Sequence, residues 1–338
     1  MSEPSLISTF DAVLADLDGV VYAGADAIPG AVDALKRLST IDVGLGYVTN
    51  NASRSPAQVA QHLRDLGAPA TPEQVVSSAQ AGAQLLAQRF PAGSKVLITG
   101  SPALAEEVQL VGMVPVHSAE DGVAVVIQGF EPSLTWKDLA EASYAVAAGA
   151  EWVATNTDMT IPRERGIAPG NGTFVAAVTA ATGKQPVVAG KPEAALFKLA
   201  AERLNSSRPL VVGDRLDTDI LGGNNAGMAT AVVLTGVDTR ESVLAARAPE
   251  RPGYLLGTLA ELYEPYPEVT MRDGGFSCGG AHAAVMDNEL RVTGLRSDLN
   301  GWRAACAAWW EAEPDAAEAA MPAIHFAGES KAGDGTGN

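Results

Sequence analysis

Short apolar runs rich in β-branched residues alternate with longer segments of helical pattern along the first 240 residues of the chain. The strand candidates are VLADL (13–17), VGLGYVTNN (43–51), KVLIT (95–99), VAVVIQ (123–128), EWVATN (151–156), PVVAG (186–190), PLVVGD (209–214) and TAVVLTG (230–236). Nearly continuous apolar strands that alternate with helices indicate a parallel sheet with helices on both faces. Open sheets of this kind bind ligands beyond the carboxyl ends of their strands, so polar residues at those ends are candidates for chemistry.

The composition excludes several classes of function. The chain of 338 residues is long enough for two or three domains, and its 40 acidic against 23 basic residues give a formal net charge of −17. Such a surface repels nucleic acids and anionic membranes, so a phosphorylated ligand needs local positive groups. No apolar run approaches the roughly 20 residues that span a bilayer, and no secretory signal is visible, so a cytoplasmic location is expected. Two cysteines, Cys278 and Cys306, exclude a disulfide framework and a Cys-rich zinc site.

Polar residues follow the first two strand candidates. The first strand stops at Asp16, and Asp18 and Gly19 come next, where the glycine lets the backbone turn tightly beneath a ligand. The second strand ends in Thr49 and Asn50, which offer a hydroxyl and an amide donor to a phosphoryl oxygen. Taken alone, the first motif also suits a plain polar turn, and the second suits a helix N-cap or Asx-turn.

Two further motifs follow later strand candidates. Lys191 stands between a glycine and a proline after PVVA, which holds it on a defined backbone, although a solvated cap has the same pattern. Asp214, Asp217 and Asp219 follow PLVV, and three acids within six residues repel one another unless a cation lies among them. Ligands that are all oxygens favour Mg²⁺. The alternative is a solvated N-cap, because Asp217 and Asp219 would suit the positive end of a following helix.

The four motifs occur in the order acid pair, threonine, lysine, acid cluster, each at a strand end. In this order the sequence resembles the haloacid-dehalogenase-like (HAD) hydrolase superfamily, whose motifs stand here as DLDGV, TN, GKP and GDRLDTD. About 140 residues separate Thr49 from Lys191, a gap similar to the large α/β cap of the type IIA, NagD-like phosphatases. Within the gap, NTD (156–158), IP (161–162) and IAPGNG (167–172) resemble the TNxDxxxP…PGxG signature of that subfamily.

The resemblance covers about residues 10–262 and implies an α/β fold. We expect a HAD-like Rossmannoid core with a parallel sheet, a large inserted α/β cap domain and a small C-terminal α+β lobe. The expected boundaries are residues 1–77 and 181–264 for the two parts of the core, 78–180 for the cap and 265–338 for the C-terminal extension, with a disordered tail at its end.

The resemblance also implies how the motif residues act. Asp16 would attack phosphorus and form an aspartyl-phosphate, and Asp18 would protonate the leaving group and then activate water. Thr49 and Lys191 would complete the catalytic set. The residues expected to contact the phosphate are Gly19, Thr49, Asn50 and Lys191.

A magnesium ion is the cofactor that the resemblance implies. Its expected ligands are the Asp16 carboxylate, the backbone carbonyl of Asp18 and the Asp214 carboxylate. Asp219 would order the waters around the ion. The ion and Lys191 would then supply the local positive field that the acidic surface lacks.

Within the subfamily the chain is most similar to the glycerol-3-phosphate phosphatases of actinobacteria, so glycerol 3-phosphate is the expected substrate. Alternative substrates are pyridoxal 5′-phosphate, a nucleotide or a sugar phosphate. Two other functions stay open: transfer of the phosphoryl group to a sugar hydroxyl, and a non-catalytic scaffold or binding module. The expected partner is a small phosphorylated metabolite, with neither nucleic acid nor membrane; a homodimer is left open. Asn156, Asp158 and Arg163 are candidate substrate contacts in the cap.

The C-terminal segment differs from the rest of the chain. EVTMR, AAVMD, ELRVTG and PAIHFAG indicate strands, and SDLNGWRAACAAWWEA indicates a helix. Trp302, Trp309 and Trp310 suit a small core or an interface. The segment could resemble part of an acetyltransferase fold, but the loop that binds the acetyl-CoA pyrophosphate is missing, so no such activity is assigned. We expect it to serve packing or self-association.

Overall fold

The computed structural model of the protein describes residues 3–163 and 165–327, without the side chains of Asp121, Pro162 and Arg163. The strands are Ala12–Ala15 (β1), Tyr22–Ala23 (β2), Asp26–Ala27 (β3), Gly44–Thr49 (β4), Val75–Ser77 (β5), Lys95–Thr99 (β6), Val114–Val116 (β7), Val125–Gln128 (β8), Glu151–Ala154 (β9), Thr160–Arg163 (β10), Gly166–Pro169 (β11), Val187–Val188 (β12), Pro209–Gly213 (β13), Ala229–Val233 (β14), Tyr254–Leu256 (β15), Val269–Arg272 (β16), Gly275–Cys278 (β17), Ala281–Met286 (β18), Glu289–Thr293 (β19) and Ala323–Phe326 (β20). The α-helices are Ala31–Leu38 (α1), Pro56–Asp65 (α2), Ser78–Arg89 (α3), Pro102–Leu110 (α4), Trp136–Ala147 (α5), Asn171–Thr182 (α6), Ala194–Arg203 (α7), Leu221–Asn225 (α8), Arg240–Leu244 (α9) and Leu299–Ala312 (α10). The tail expected to be disordered lies in residues 328–338, outside the described residues.

The core sheet is parallel and runs in the order β15–β14–β13–β1–β4–β5. The chain moves from β1 through β4 to β5 on one side, and later returns to form β13, β14 and β15 on the other. The strand order therefore reverses between β1 and β13, which is the point at which open α/β sheets bind their ligands. Helices α1 and α2 pack on one face and α7 packs on the other, which confirms the predicted fold class.

The inserted segment forms a second parallel sheet in the order β12–β9–β8–β6–β7, with an antiparallel hairpin of β10 and β11 beside it. Strand β12 pairs with β9 through Val187 and Val153, so this sheet continues past residue 180, where the cap was expected to end. An apolar strand pattern does not specify which sheet the strand joins, because tertiary contacts decide its partner. Strand β12 was expected to belong to the core but pairs within the cap sheet. The other domain boundaries stay a prediction.

Three of the strands that the sequence pattern missed are short edge strands. Strands β5, β7 and β15 have three residues each, which is too few to display a periodicity. They add edges to sheets that longer strands had already defined, so missing them leaves the architecture unchanged. Within the described residues, no helix combines the length and the apolar character needed to span a bilayer.

The C-terminal lobe is a sheet in the order β16–β17–β18–β19–β20, packed against α10. Each expected element of the lobe is present, and β17 is an addition. The buried Trp302 and Trp309 of α10 belong to a hydrophobic cluster that also contains Leu216, Val232 and Leu244 of the core domain. The lobe therefore shares its core with the segment that follows β13.

Asp11 joins the beginnings of β1 and β13. Its carboxylate accepts hydrogen bonds from the hydroxyl of Ser206, from the backbone amide of Ser207 at 3.0 Å and from the backbone amide of Arg208 at 3.1 Å. Burial alone would raise the pKa of Asp11, but these hydrogen bonds outweigh it and lower the pKa from 3.8 to about 2. The two strands that end in the acidic motifs are therefore aligned at their other ends by one carboxylate.

Asp11→Ala should lower the free energy of unfolding by about 1–2 kcal/mol at neutral pH, since hydrogen bonds to a charged group are lost. Because the folded pKa lies below the unfolded one, this contribution is present above about pH 4 and disappears as the pH falls towards 2. Urea unfolding at pH 7 and at pH 3 measures both effects. Asp26→Ala, at an exposed position, should change the unfolding free energy by less than about 0.5 kcal/mol. An equal effect of Asp11→Ala at both pH values would contradict the assignment.

Candidate active site

The carboxyl ends of β1 and β13 bring two predicted site residues together. The strands are direct neighbours, with Ala15 opposite Val212, so Asp16 and Asp214 emerge side by side at the switch point. Asp219 joins them: each of these three residues offers a carboxylate oxygen, and the three atoms lie within 4.8 Å of one another. Residues that are distant in sequence thus form one acidic cluster.

The ammonium group of Lys191 lies between two of these carboxylates. Its Nζ is 2.6 Å from Oδ1 of Asp16 and 2.6 Å from Oδ1 of Asp219. The Lys191 side chain is 4% exposed and that of Asp219 is 1% exposed. Lys191 is therefore no solvated cap, because a lysine buried to this degree needs carboxylate partners.

The acids after β13 separate into two roles. A π-helical turn, Leu216–Ile220, precedes α8 and directs Asp219 inward, where Oδ2 accepts a hydrogen bond from the backbone amide of Arg215 at 3.2 Å. Asp217 is 58% exposed and pairs with the Arg215 guanidinium through two hydrogen bonds of 3.0 and 2.8 Å. The solvated-cap alternative thus describes Asp217 but not Asp219.

Asp214 is buried against backbone. Its Oδ2 accepts a hydrogen bond from the backbone amide of Val237 at 2.7 Å. A Cβ atom on Gly19 would lie 2.2 Å from this oxygen, and one on Gly236 would lie 1.9 Å from it. The two glycines therefore make room for the carboxylate. Its other oxygen, Oδ1, is buried and has no hydrogen-bond partner among the described residues.

Burial and mutual repulsion shape the electrostatics of the cluster. Burial raises the pKa of Asp16 to about 6, against the attraction of Lys191. Burial and the charge of Asp219 raise the pKa of Asp214 to about 6, and burial raises that of Asp219 to about 7. Burial opposes the charge on Lys191, but Asp16 and Asp219 raise its pKa above the ordinary value. Three carboxylates therefore share one ammonium, which leaves a formal charge of −2 when all are ionised.

The cluster fits a divalent cation. The donors are carboxylate oxygens, which suit Mg²⁺. The buried Oδ1 of Asp214 needs a positive partner, since an orphaned buried carboxylate oxygen is costly. Asp16 and Asp214 would hold the ion, whose charge would balance the excess of the cluster. The expected contribution of the Asp18 backbone carbonyl stays a prediction.

Asp18 lies apart from the buried cluster. Its side chain is exposed, and Asp18 forms an isolated β-bridge with Tyr22. Desolvation raises the pKa of Asp18, with Lys191, Arg54 and His62 acting in the opposite direction. An exposed carboxyl group of raised pKa is suited to proton transfer.

Gly19 and Asn50, two of the expected phosphate contacts, hydrogen-bond within the protein. The backbone amide of Gly19 donates to the Tyr22 carbonyl at 2.8 Å, so it is not a free phosphate donor, and the need for glycine comes from the close approach of Asp214. The Asn50 side chain is engaged with Asp158 and with the main chain of Lys191, and its expected role as a phosphate ligand stays a prediction. The phosphate contact of Thr49, which is buried at the end of β4, stays a prediction.

The cap signature forms the junction between cap and core. Asn156 is buried, donates from Nδ2 to the Asn50 carbonyl at 2.8 Å and accepts from the Asp158 amide at 3.3 Å, so the structure does not place it as a substrate contact. The glycines of the signature allow the neighbouring backbone to approach closely, since a Cβ on Gly170 would lie 2.2 Å from the Asp158 carbonyl oxygen. The Arg163 side chain lies outside the described residues.

Comparison with known proteins agrees with this geometry. The haloacid dehalogenase-like hydrolase family model matches residues 13–114, and a second model of the same superfamily matches residues 188–262. The D-glycerol 3-phosphate phosphatase of Mycobacterium tuberculosis is 44% identical over 317 residues, which cover 91% of this chain and 88% of that protein. The chain belongs to the haloacid dehalogenase-like hydrolases.

A further relative and a solved structure agree with this family assignment. The acid sugar phosphatase of Staphylococcus aureus is 38% identical over 254 residues, which cover 75% of this chain and 96% of that protein. The crystal structure of the glycerol phosphate phosphatase of M. tuberculosis in complex with magnesium matches with a TM-score of 0.87 and 42% identity, over 97% of this chain and 96% of that chain. The match to the mycobacterial protein includes the C-terminal lobe.

Sequence reasoning missed the groups that support the hydrolase motifs. Gly236 ends the strand candidate TAVVLTG, and a glycine directly after a buried strand was a visible signal of a close backbone approach. The hydrogen bond from the Val237 amide to Asp214 had no signal in the sequence, because it depends on how a loop folds back.

Alanine substitution of two glycines after β1 distinguishes the effect of backbone strain from the effect of filling the space that Asp214 occupies. Gly19 and Gly24 both have positive φ, +78° and +64°, but a Cβ at Gly24 meets nothing within 4 Å. Each alanine substitution should cost roughly 1 kcal/mol in strain. Only Gly19→Ala should also displace the Asp214 carboxylate and weaken the binding of a divalent cation by about tenfold or more.

Titration calorimetry with Mg²⁺ and with Mn²⁺ measures this difference. Gly24→Ala should keep the affinity of the native protein. Equal affinities in Gly19→Ala and Gly24→Ala would show that Asp214 does not hold the ion.

Proposed function

We propose that this protein is a magnesium-dependent phosphatase that hydrolyses a small phosphate monoester through an aspartyl-phosphate on Asp16. The observation that carries the proposal is the contact of 2.6 Å between Lys191 Nζ and Asp16 Oδ1 at the switch point of the core sheet. The lysine fixes one carboxylate oxygen and so orients the other. A carboxylate held in this way is an aimed nucleophile.

In the first step, the Asp16 carboxylate forms a bond to phosphorus while the bond from phosphorus to the ester oxygen breaks. The leaving alkoxide takes a proton from Asp18, whose side chain is exposed. The product is an alcohol, and the phosphoryl group stays on Asp16. In the second step, Asp18 takes a proton from water, which attacks the aspartyl-phosphate and releases inorganic phosphate.

The remaining residues hold charge in place. Lys191 donates hydrogen bonds to Asp16 and Asp219 and supplies positive charge beside the phosphoryl oxygens. Oγ1 of Thr49 accepts from the Asn51 amide at 3.1 Å, which leaves its hydroxyl hydrogen for a phosphoryl oxygen. When bound, Mg²⁺ supplies charge neutralisation between the Asp16 carboxylate and the anionic phosphate.

Glycerol 3-phosphate is the substrate that the comparisons favour. The relative that carries this name shares 44% of its residues over 91% of this chain, whereas the acid sugar phosphatases match 75% of the chain at 38% identity. The second candidate is therefore a sugar phosphate. Both are alkyl phosphates, which the same chemistry serves.

The setting of the enzyme is also part of the proposal. Cys278 and Cys306 are buried free thiols, in keeping with the reducing cytoplasm. Self-association as a homodimer stays a prediction. The exposed rings of Trp136 and Tyr144 both lie on the cap helix α5 and are among the exposed apolar side chains of the protein.

Phosphate release across a panel of esters tests the function. The panel contains glycerol 3-phosphate, pyridoxal 5′-phosphate, nucleoside monophosphates and sugar phosphates, each with Mg²⁺ and with excess chelator. We expect the largest kcat/KM for glycerol 3-phosphate and loss of turnover after chelation. Full activity of the dialysed protein in chelator would remove the metal from the proposal, and faster sugar phosphate hydrolysis would select the second candidate.

Substitution of the two aspartates separates their roles. Asp16→Asn should be inactive towards every ester, because an amide oxygen is a poor nucleophile. Asp18→Asn keeps the nucleophile and loses the proton donor, which is worth about 10²–10⁴-fold for an alkyl leaving group. The loss should be smaller for 4-nitrophenyl phosphate, whose leaving group needs no proton.

The measurement is kcat/KM for glycerol 3-phosphate and 4-nitrophenyl phosphate in both variants. Mass spectrometry excludes deamidation of Asp16→Asn back to aspartate. Equal losses for both esters in Asp18→Asn would mean that another group protonates the leaving oxygen, and true turnover by Asp16→Asn would place the nucleophile elsewhere.

A further inference from the structure

We propose that Asn50 is a positioning residue that couples the seating of the cap to the placement of Lys191. One amide group connects the two: it contacts the main chain of Lys191 on the core side and the carboxylate of Asp158 on the cap side. This role rests on the proposed phosphatase function and differs from the phosphate contact that the motif alone implies.

On the core side, Asn50 holds both polar main-chain groups of Lys191. The backbone amide of Lys191 donates to Asn50 Oδ1 at 2.8 Å, and Asn50 Nδ2 donates to the Lys191 carbonyl at 3.1 Å. The contact is close, since a Cβ on Gly190 would lie 2.5 Å from Asn50 Oδ1. The same lysine ends in the Nζ atom that lies 2.6 Å from Asp16. The Asn50 amide therefore fixes the backbone from which the ammonium reaches the nucleophile.

On the cap side, two residues of one signature hold Asn50. Its Nδ2 lies 3.2 and 3.4 Å from the carboxylate oxygens of Asp158. The main-chain carbonyl of Asn50 accepts a hydrogen bond from Asn156 Nδ2 at 2.8 Å. Asn171, at the beginning of α6, donates in turn to the Asn156 carbonyl at 2.7 Å. A continuous hydrogen-bonded path thus runs from a cap helix to the main chain of Lys191.

The residue type is what this junction requires. A primary amide has two N–H donors and one carbonyl acceptor. In Asn50 the Nδ2 donors serve the Lys191 carbonyl and the Asp158 carboxylate, and Oδ1 serves the Lys191 amide. An aspartate would keep the acceptor, lose both donors and repel Asp158. With its groups used in this way, Asn50 sets the position of other residues and has no donor left for phosphate.

The consequence is a measurable coupling between cap and nucleophile. Deleting the Asp158 carboxylate should loosen the Lys191 backbone, although Asp158 contacts neither Lys191 nor Asp16 by a hydrogen bond in the described structure. Small displacements of a catalytic group reduce kcat by about 10- to 100-fold. Binding of the substrate, which depends on other groups as well, should change less.

The test uses the full chain with Mg²⁺ and steady-state kinetics on glycerol 3-phosphate and 4-nitrophenyl phosphate. Asn50→Ala and Asp158→Ala should each lower kcat by about tenfold or more, with KM changed by less than about threefold, and the double variant should be no slower than Asn50→Ala alone, as expected for one shared interaction. Asn51→Ala is the matched control. Its side chain is exposed and accepts only local hydrogen bonds from Ser53 at 2.8 and 2.7 Å, so kcat should stay within about twofold.

Exchanging the amide of Asn50 with the carboxylate of Asp158 tests whether kcat can be restored. Asn50→Asp should be slow, because two carboxylates then face each other. Adding Asp158→Asn restores an N–H donor across the junction and should recover kcat by about tenfold relative to Asn50→Asp alone. Additive losses without rescue, or a change in KM alone, would overturn the positioning role; the second result would return Asn50 to phosphate binding.

Hydrogen exchange makes the inference independent of turnover. In mass spectrometry of peptides that contain Lys191, Asp158→Ala should speed exchange at the Lys191 amide by about tenfold, and Asn51→Ala should leave it unchanged. If the native protein hydrolyses no ester, the proposed function fails while this measurement still decides the coupling. Unchanged exchange in Asp158→Ala, in a protein that melts at the native temperature, would overturn it.

Discussion

The ammonium of Lys191, buried between the carboxylates of Asp16 and Asp219, is the interaction on which the rest of the active-site edge depends. Charges taken out of water destabilise a fold unless partners with good geometry surround them. The parallel sheet provides that geometry, because β1 and β13 are neighbours and both end at this edge. One cation does not balance the acids, and the buried free oxygen of Asp214 marks where a second positive charge belongs.

The alternation of apolar strands with helices was sufficient to predict the core fold, and the order of the motifs was sufficient to pick out the residues that form the acidic cluster. Apolar runs located β1, β4 and β13, whose carboxyl ends place Asp16, Thr49 and Asp214. Lys191 instead follows β12, a strand of two residues that belongs to the cap sheet. The sequence was not sufficient to predict what each side chain contacts. Asp219 and Asp217 are equivalent in a pattern of acids, yet a single π-helical turn buries the first and exposes the second. Such local geometry depends on packing that no spacing encodes.

The contacts of the cap signature were also not predictable from the sequence. Its asparagines, aspartate and glycines have the composition of a loop that faces substrate, and the pattern led to that interpretation. In the structure Asn156 and the signature glycines build the joint between cap and core instead, with Asn50 at its centre. Polar residues at a domain junction satisfy one another's hydrogen bonds, and sequence alone does not separate that need from ligand binding.

The C-terminal lobe packs against the core domain, so residues of the lobe support the loop that carries Asp219. Trp302 and Trp309 pack in the same cluster as Leu216, which begins the turn that carries Asp219. Because the lobe and the loop share buried apolar surface, we expect them to unfold together. A protease that opened the lobe would therefore also release the acidic loop, and a nicked enzyme would lose its fold and its chemistry together. The position of the acidic loop thus depends on tryptophans that lie outside the acidic cluster.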